Sequence, residues 1–391
     1  MKTLGRKIRI LQIIKGLDIG GLNGGAERFG IELTRALQQH EDLEIVLCIF
    51  FKIETSTTQI VQNQLEKSGI NFFYASYWKG NDHLQSYIQG LSKIIKLTKN
   101  ESFDIIHSHF QLGSISAILL KQLGLAKVIL RTAHNHPEKE WVSNFSGWFR
   151  YQLFSKWIFP LFMDIEVGVS QSIVSQINKY PVSYITHKKA CLIYNAIPSY
   201  YKELMPLPKN NEPIIGSVGR LSKQKGFRYF LEAISLLQWK IPNLKVWIIG
   251  DGELREELEN LRDRLGLKNS VFFLGKRQDI IDLLHKMNLF VLPSLWEGLP
   301  TSVLESMSCG LPVIATNIEG TRELIRDNET GWLVPPADPF ALAERIEMAL
   351  KNPSQCEYVR YQAFKELDRF LIEYVAEDYL KLYQKLLGKC L

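Results

Sequence analysis

Short apolar runs alternate with helix-periodic stretches along most of this chain. Ile8–Ile14 reads as a buried strand, and Glu27–Gln38 as an amphipathic helix with one apolar face. Leu43–Phe51, Asn71–Ala75, Asp104–His107, Lys127–Thr132 and Ile165–Val169 read as further strands with helical stretches between them. Ser170 is placed to cap the helix after the last of these. Strand, helix and strand in strict alternation is the grammar of a parallel, doubly wound α/β sheet.

The pattern then starts again. Ile193–Pro198 ends a strand, and Pro198, Pro206, Pro208 and Pro213 mark a polar linker. Ile214–Val218 opens a second series, continued by Leu244–Ile249, Val271–Leu274, Leu289–Leu292 and Val313–Ala315. Two helices close the chain, Pro353–Phe370 and Leu371–Leu387, the last with Val375, Tyr379, Leu382 and Leu386 on one stripe. The expected organisation is two Rossmann-like domains, residues 1–205 and 206–370, facing each other across a cleft, followed by a helix at 371–391. In such sheets ligands bind beyond the carboxyl ends of the strands, so the loops there should carry the chemistry.

Composition narrows this without changing it. A chain of 391 residues with 46% hydrophobic content can bury two cores. Cys48, Cys191, Cys309, Cys356 and Cys390 form no CxxC pair, and the first three sit in apolar stretches, as expected of free thiols in a reducing cytoplasm. Lys2, Arg6, Lys7 and Arg9 precede an apolar stretch broken by Gln12 and Lys15, which does not read as a signal peptide. No apolar run approaches the ~18 residues that span a bilayer. Residues 1–205 hold 23 Lys+Arg against 16 Asp+Glu, and the remainder 24 against 25. The basic half can meet anionic lipid or phosphate. With no dense Lys/Arg run or nucleic-acid motif, nucleic acid is not an expected partner.

The segment Glu297-Gly-Leu-Pro-Thr-Ser-Val-Leu-Glu305 carries two carboxylates around a turn and a helix start. Pro300 suits the first helical position, and Thr301 or Ser302 can cap. A carboxylate such as Glu305 on an apolar helix needs a partner, and the free N–H groups of a helix start can hold an anion. The segment reads as a phosphate cradle with two acceptors for sugar hydroxyls, or as a solvated helix with incidental acids. Gly219-Arg220…Lys225-Gly226 before a helix suits a diphosphate, with Arg220 bidentate and Lys225 a point charge, or is an exposed basic turn. Gly250-Asp251-Gly252 reads as a tight turn near the ligand. The glycine-rich stretch Gly16–Glu27, with Gly24 and Gly25, lacks GxGxxG spacing, which argues against a nicotinamide site. The pairs His107-Ser-His109 and His134-Asn-His136 follow strands and face a substrate or hydrogen-bond within their loops. Neither has a carboxylate or Cys partner at zinc-ligand spacing. Trp141–Phe162 is aromatic with Arg150 and Lys156 interleaved; it reads as a buried helix more than as a segment dipping into lipid headgroups.

Taken together, these motifs resemble the retaining GT-B glycosyltransferases of family 4. The specific part is Gly219-Arg220…Lys225-Gly226, then Pro293-Ser-Leu-Trp-Glu297-Gly298-Leu299-Pro300…Glu305-Ser-Met-Ser-Cys-Gly310, then Gly331-Trp-Leu-Val-Pro-Pro336. The resemblance implies that Glu297 contacts the transferred sugar and Glu305 the ribose of a nucleotide-sugar. It assigns the N–H groups of Leu299, Thr301 and Ser302 to phosphate, and Arg220 and Lys225 to the diphosphate. Gly24-Gly25 matches the family's glycine loop, His134 its histidine near the transferred sugar, and His109 the acceptor side. Gly219, Gly250 and Gly298 line the donor. The last helix is expected to cross back to the first domain. The implied activity is metal- and cofactor-independent hexosyl transfer from a UDP- or GDP-sugar, with retention, to a glycan or lipid-linked acceptor in envelope glycan, capsule or exopolysaccharide synthesis. The implied location is the cytoplasm, with peripheral contact at the inner face of the plasma membrane. A sugar-nucleotide epimerase or a non-catalytic assembly subunit of the same fold are the alternatives.

Overall fold

The structure, a computed structural model, describes residues 6–17, 24–78, 83–100, 102–136, 145–203, 212–241 and 243–388. They pack as two compact units, one reaching Asn195 and taking in Ile372 onward, the other spanning Ala196–Leu371.

The first unit holds β1 (Ile8–Ile14), β2 (Leu43–Lys52), β3 (Phe72–Tyr77), β4 (Phe103–Ser108), β5 (Ala126–Ala133), β6 (Ile165–Gly168) and β7 (Cys191–Leu192). All pair in parallel, in the order β3-β2-β1-β4-β5-β6-β7. The second unit holds β8 (Ile214–Val218), β9 (Lys245–Ile249), β10 (Val271–Gly275), β11 (Leu289–Leu292), β12 (Val313–Thr316) and β13 (Trp332–Val334), parallel in the order β10-β9-β8-β11-β12-β13. Each sheet therefore reverses direction once, between β1 and β4 and between β8 and β11. Loops from those strands diverge at the reversal and leave a crevice. Continuous Val/Ile/Leu runs explain the parallel pairing, because both faces are covered by helices. Leu11, Ile13, Ile106 and Ile129 centre the first core, and Ile248, Leu289, Ile314 and Trp332 the second.

By packing, the chain divides at Asn195/Ala196. Ile197 N–H donates to the Phe370 carbonyl at 2.9 Å and Glu203 N–H to that of Ser308 at 3.0 Å, which ties the start of the linker to the second unit. Beyond Leu371 the helix Ile372–Leu386 joins the first unit and packs on the Gly25–Leu37 helix. Val375, Ala376, Tyr379 and Tyr383 are its buried stripe.

The aromatic segment corrects the expectation of burial. Trp141 lies outside the described residues. Helix Phe145–Arg150 runs into a π-helical stretch, Tyr151–Ile158, and a last turn, Phe159–Phe162. Tyr151 and Phe159 are buried, but Trp148, Phe149 and Trp157 are exposed. A single segment on a sheet flank has only one side to bury, and here the aromatics occupy both.

Candidate active site

In the second unit the predicted residues converge at the carboxyl ends of β8 and β11. After β8, Gly219-Arg220-Leu221 leads into one 3-10 turn, Lys223–Lys225, and then the helix Phe227–Leu237. Gly226 joins turn to helix at φ +63°, and a Cβ there would lie 2.1 Å from the Pro293 carbonyl oxygen. Only glycine allows this left-handed conformation with the backbone pressed against the β11 loop. Lys225 is thereby aimed at Glu297, and its Nζ donates to Oε1 at 2.6 Å. The Ser294 hydroxyl donates to the same oxygen at 2.7 Å. Gln224 Nε2 donates to the Trp296 carbonyl at 3.0 Å and reaches Glu297 Oε2 at 3.3 Å. Glu297 is 6% exposed and Lys225 17%, so this is a nearly desolvated ion pair in which Oε1 also accepts from Ser294 and Oε2 from Gln224.

Gly250 completes the floor. Its φ is +134°, and a Cβ would lie 2.0 Å from the Gly219 carbonyl oxygen, so the loops after β8 and β9 touch backbone to backbone. Asp251 accepts the Leu221 N–H on its carbonyl at 3.0 Å, which makes the Gly250–Gly252 turn part of the same scaffold. Arg220 stands further out, half exposed, with its guanidinium 3.0 Å from Glu253 Oε2. Such an exposed pair is held weakly, and an anionic ligand can displace the glutamate.

Gly298 and Leu299 lead to the helix Thr301–Ser308. Its capping differs from expectation. Pro300 occupies the N-cap position with extended backbone, Thr301 and Ser302 fall inside the first turn, and no side chain caps the helix. Proline's fixed φ is compatible with the extended residue that precedes a helix, and its carbonyl accepts the Val303 N–H at 3.1 Å. The helix start thus keeps N–H groups that no side chain covers. The Ser302 hydroxyl is buried there with no hydrogen-bond partner. Glu305, buried, follows one turn later.

In the first unit, Gly24 precedes and Gly25 opens the Gly25–Leu37 helix, again without a side-chain cap. The loop before it, at 18–23, lies outside the described residues. His109 and His134 follow the neighbouring strands β4 and β5, and this adjacency brings the rings together. His109 Nδ1 lies 3.3 Å from His134 Nε2, and His134 Nδ1 donates to Asn195 Oδ1 at 3.1 Å. With Nδ1 carrying the proton, His134 Nε2 accepts from His109, which leaves His109 Nε2 as a buried lone pair without a partner. Burial is the main cause holding His134 down to about 4, with Arg131 adding to it and the Asn195 bond opposing. Burial also holds His109 well below its ordinary value, and the pair are neutral imidazoles.

The other two histidines of the HxH pairs are structural. His107 bonds the Tyr383 hydroxyl at 2.7 Å and Thr132 Oγ1 at 2.8 Å, and Tyr379 joins at Thr132, so the returning helix braces the histidine strand. His136 is taken by Gln176 at 2.9 Å and Ser172 at 3.1 Å.

Ser294, Gln224 and Asn195 were not singled out from sequence. Ser294 and Gln224 sit within quoted motifs, but their side chains matter only because the fold points them at Glu297. Chemically, the second unit offers a positioned carboxylate, an ammonium and an uncapped helix start, a set suited to a sugar hydroxyl and a phosphate.

Two family models match: Glycosyltransferase Family 4 over residues 23–199 and Glycosyl transferases group 1 over residues 205–366. An Escherichia coli UDP-Gal:alpha-D-GlcNAc-diphosphoundecaprenol alpha-1,3-galactosyltransferase is 31% identical over 259 residues, 63% of this chain and 66% of that protein. The chain therefore spans a little less than two thirds of that relative. A Campylobacter jejuni alpha-1,4-N-acetyl-D-galactosaminyltransferase, named for an undecaprenol-diphosphate glycan, is 26% identical over 92% of this chain and 95% of its own. Among solved structures, Anabaena HepE in complex with UDP and glucose superposes with a TM-score of 0.79 at 19% identity, covering 97% of this chain and 100% of that one. The two models together take in nearly the whole sequence, and the fold is shared throughout: the chain belongs to the GT-B glycosyltransferases of family 4, with a group 1 second domain.

Proposed function

We propose that this protein is a retaining hexosyltransferase, drawing on a UDP- or GDP-sugar and a glycan or lipid-linked acceptor in bacterial-type envelope glycan or exopolysaccharide synthesis. The observation that carries the reading is the Lys225–Glu297 pair, fixed by Ser294 and Gln224 beside an uncapped helix start. The two relatives whose names specify undecaprenol-diphosphate acceptors favour a lipid-linked glycan.

In this mechanism Glu297 holds a hydroxyl of the transferred sugar and Glu305 the ribose. The N–H groups of Leu299, Thr301 and Ser302 meet phosphate, with Gly24 and Gly25 approaching the diphosphate. Lys225 and Arg220 stabilise charge as the bond from the anomeric carbon to the diphosphate oxygen breaks, the role of a cationic clamp. The acceptor oxygen bonds the same face of that carbon, and its proton passes to the departing phosphate oxygen. The clamp supplies the positive charge, so the reaction needs no metal. His134, its two nitrogens taken by Asn195 and His109, stands near the sugar as a positioning residue, and the open Nε2 of His109 is the hydrogen-bonding atom of the pair on the acceptor side.

The test is hydrolysis and transfer on a panel of UDP-, GDP- and ADP-sugars with chelator present, comparing wild type with Glu297→Gln. Turnover of one donor that survives chelation and collapses in the variant supports the reading. Release of a free sugar epimeric to that of the donor, without acceptor dependence, would point to an epimerase. Nucleotide binding without turnover, even with membrane extract as acceptor source, would point to a non-catalytic subunit.

A further inference from the structure

The outward stripe of the segment at 145–163 is apolar. Tyr151, Ser155, Phe159 and Met163 turn inward at every fourth position. Between them Trp148, Phe149, Leu153, Trp157, Leu161 and Phe162 face out, from 38% exposed at Phe162 to 54% at Phe149. Phe154 and Ile158 also pack on the core, so the segment is apolar on both sides, whereas the water side of a surface helix in a soluble domain is polar. The short helix Pro181–Ile185 packs against the same segment and adds Tyr184, 80% exposed, and Ile185, 69% exposed. A contiguous apolar surface of this kind marks an interaction site rather than scattered exposure.

Charge indicates what the surface meets. Residues 145–195 contain Arg150, Lys156, Lys179, Lys188 and Lys189 but only two acids, Asp164 and Glu166. Both acids are already paired, Asp164 with Lys121 and Glu166 with Arg131 at 3.0 Å. Lys188 Nζ donates to the carbonyls of Leu161 and Met163 at 2.8 and 2.9 Å, which fixes a cation beside the exposed leucine. Lys156 lies over the Tyr151 ring at 5.0 Å. Indoles and leucines with Lys156 and Lys188 beside them, in a stretch whose two acids are both paired, match the interface of an anionic bilayer: apolar groups at the acyl boundary, aromatic rings at headgroup level, ammonium groups at the phosphates. Among the described residues no helix is long and apolar enough to cross a membrane.

We infer that Trp148, Phe149, Trp157, Leu161 and the neighbouring Tyr184 and Ile185 form a docking surface for an anionic lipid membrane, with Lys156, Lys188 and Lys189 as its electrostatic rim. The inference builds on the lipid-linked acceptor proposed above. Its test contains no nucleotide-sugar, so its failure and the failure of the transferase reading are told apart. The full chain is floated with phosphatidylcholine vesicles, with and without phosphatidylglycerol, at low and high salt. Wild type is expected to float with the anionic vesicles only. The double variant Trp148→Ser/Trp157→Ser should lower the bound fraction about tenfold. Lys156→Gln/Lys189→Gln should weaken binding and flatten its salt dependence. Trp239→Ser, at a lone 88% exposed indole in the second unit, should float as wild type does. Circular dichroism and thermal midpoint confirm that each variant folds. No flotation of wild type, equal flotation with neutral vesicles, or a tryptophan double variant that floats normally overturns the inference. A wild-type dimer in sedimentation that this double variant converts to monomer, with vesicle binding unaffected, would assign the surface to a second copy instead.

Discussion

Replacing Lys225 by Met keeps the apolar stem of the side chain and removes its ammonium group. Glu297 would then remain 6% exposed with Ser294 and Gln224 as donors but without the ammonium 2.6 Å from Oε1. Breaking a fully buried ion pair on one side costs about 3–5 kcal/mol. Lys225 is partly exposed and two hydrogen bonds persist, so about 2–3 kcal/mol is expected here. Glu297→Gln keeps an acceptor for both Lys225 and Ser294 and should cost about 1–2 kcal/mol. In the double variant no buried charge is stranded. Its cost should stay near about 2 kcal/mol, well below the sum of the single changes, with a coupling of at least about 1 kcal/mol. Urea denaturation of the full chain, followed by circular dichroism for all four proteins, measures the cycle. The coupling should persist at high salt, since buried pairs are poorly screened. Costs that simply add, to within about 0.5 kcal/mol, would refute the argument that Glu297 depends on Lys225 for its burial. Donor turnover measured in parallel should collapse in every variant, because the pair is also the proposed sugar and diphosphate contact.

Acid should weaken the first unit. His107 is held to about 3 and His134 to about 4, burial being the largest cause in both, against an ordinary value of 6.5. Below 6.5 the unfolded chain binds protons that the fold refuses, so this stability is complete above that value. It falls by about 1.4 kcal/mol per pH unit per histidine until the folded values are reached. Glu32 and Glu166, whose carboxyls burial raises, act in the opposite sense. The urea midpoint should therefore drop between pH 7 and pH 5, and less steeply in His134→Gln; the same slope in both proteins would contradict the assignment. Gly226→Ala should cost about 2–4 kcal/mol and abolish turnover, because the left-handed strain adds to a backbone clash. Gly124→Ala, at φ +73° with nothing within 4 Å of its Cβ, should lose only about 1 kcal/mol. Equal thermal shifts for the two would show that the Pro293 contact does not matter.

The division between sequence and structure follows the range of the interactions. The short runs Ile8–Ile14, Ile214–Val218 and Leu289–Leu292 are strands because most of their own residues are apolar, with Ile or Val in each, and they were legible with the boundaries observed. β7, two residues at a sheet edge, and β13, three residues beside Gly331, have too little local signal and exist because a neighbouring strand offers its ladder. The residue types of the second unit's site were legible too, since Lys225, Glu297 and Glu305 sit in short motifs whose spacing reflects turns and helix starts. That Lys225 lies against Glu297 while Arg220 pairs with Glu253 could not be read. It depends on backbone contacts across two loops, Gly226 against Pro293 and Gly250 against Gly219. His109 and His134 meet because β4 and β5 are adjacent, and His107 is buried because Tyr379 and Tyr383 arrive from a helix far downstream, Tyr383 lying 276 residues after it. The aromatic segment shows the limit most plainly: composition recorded its rings, but only the packed sheet decided which of them face water. Local propensity chooses helix, strand and turn; partners and exposure are set by the long-range packing that brings those elements together.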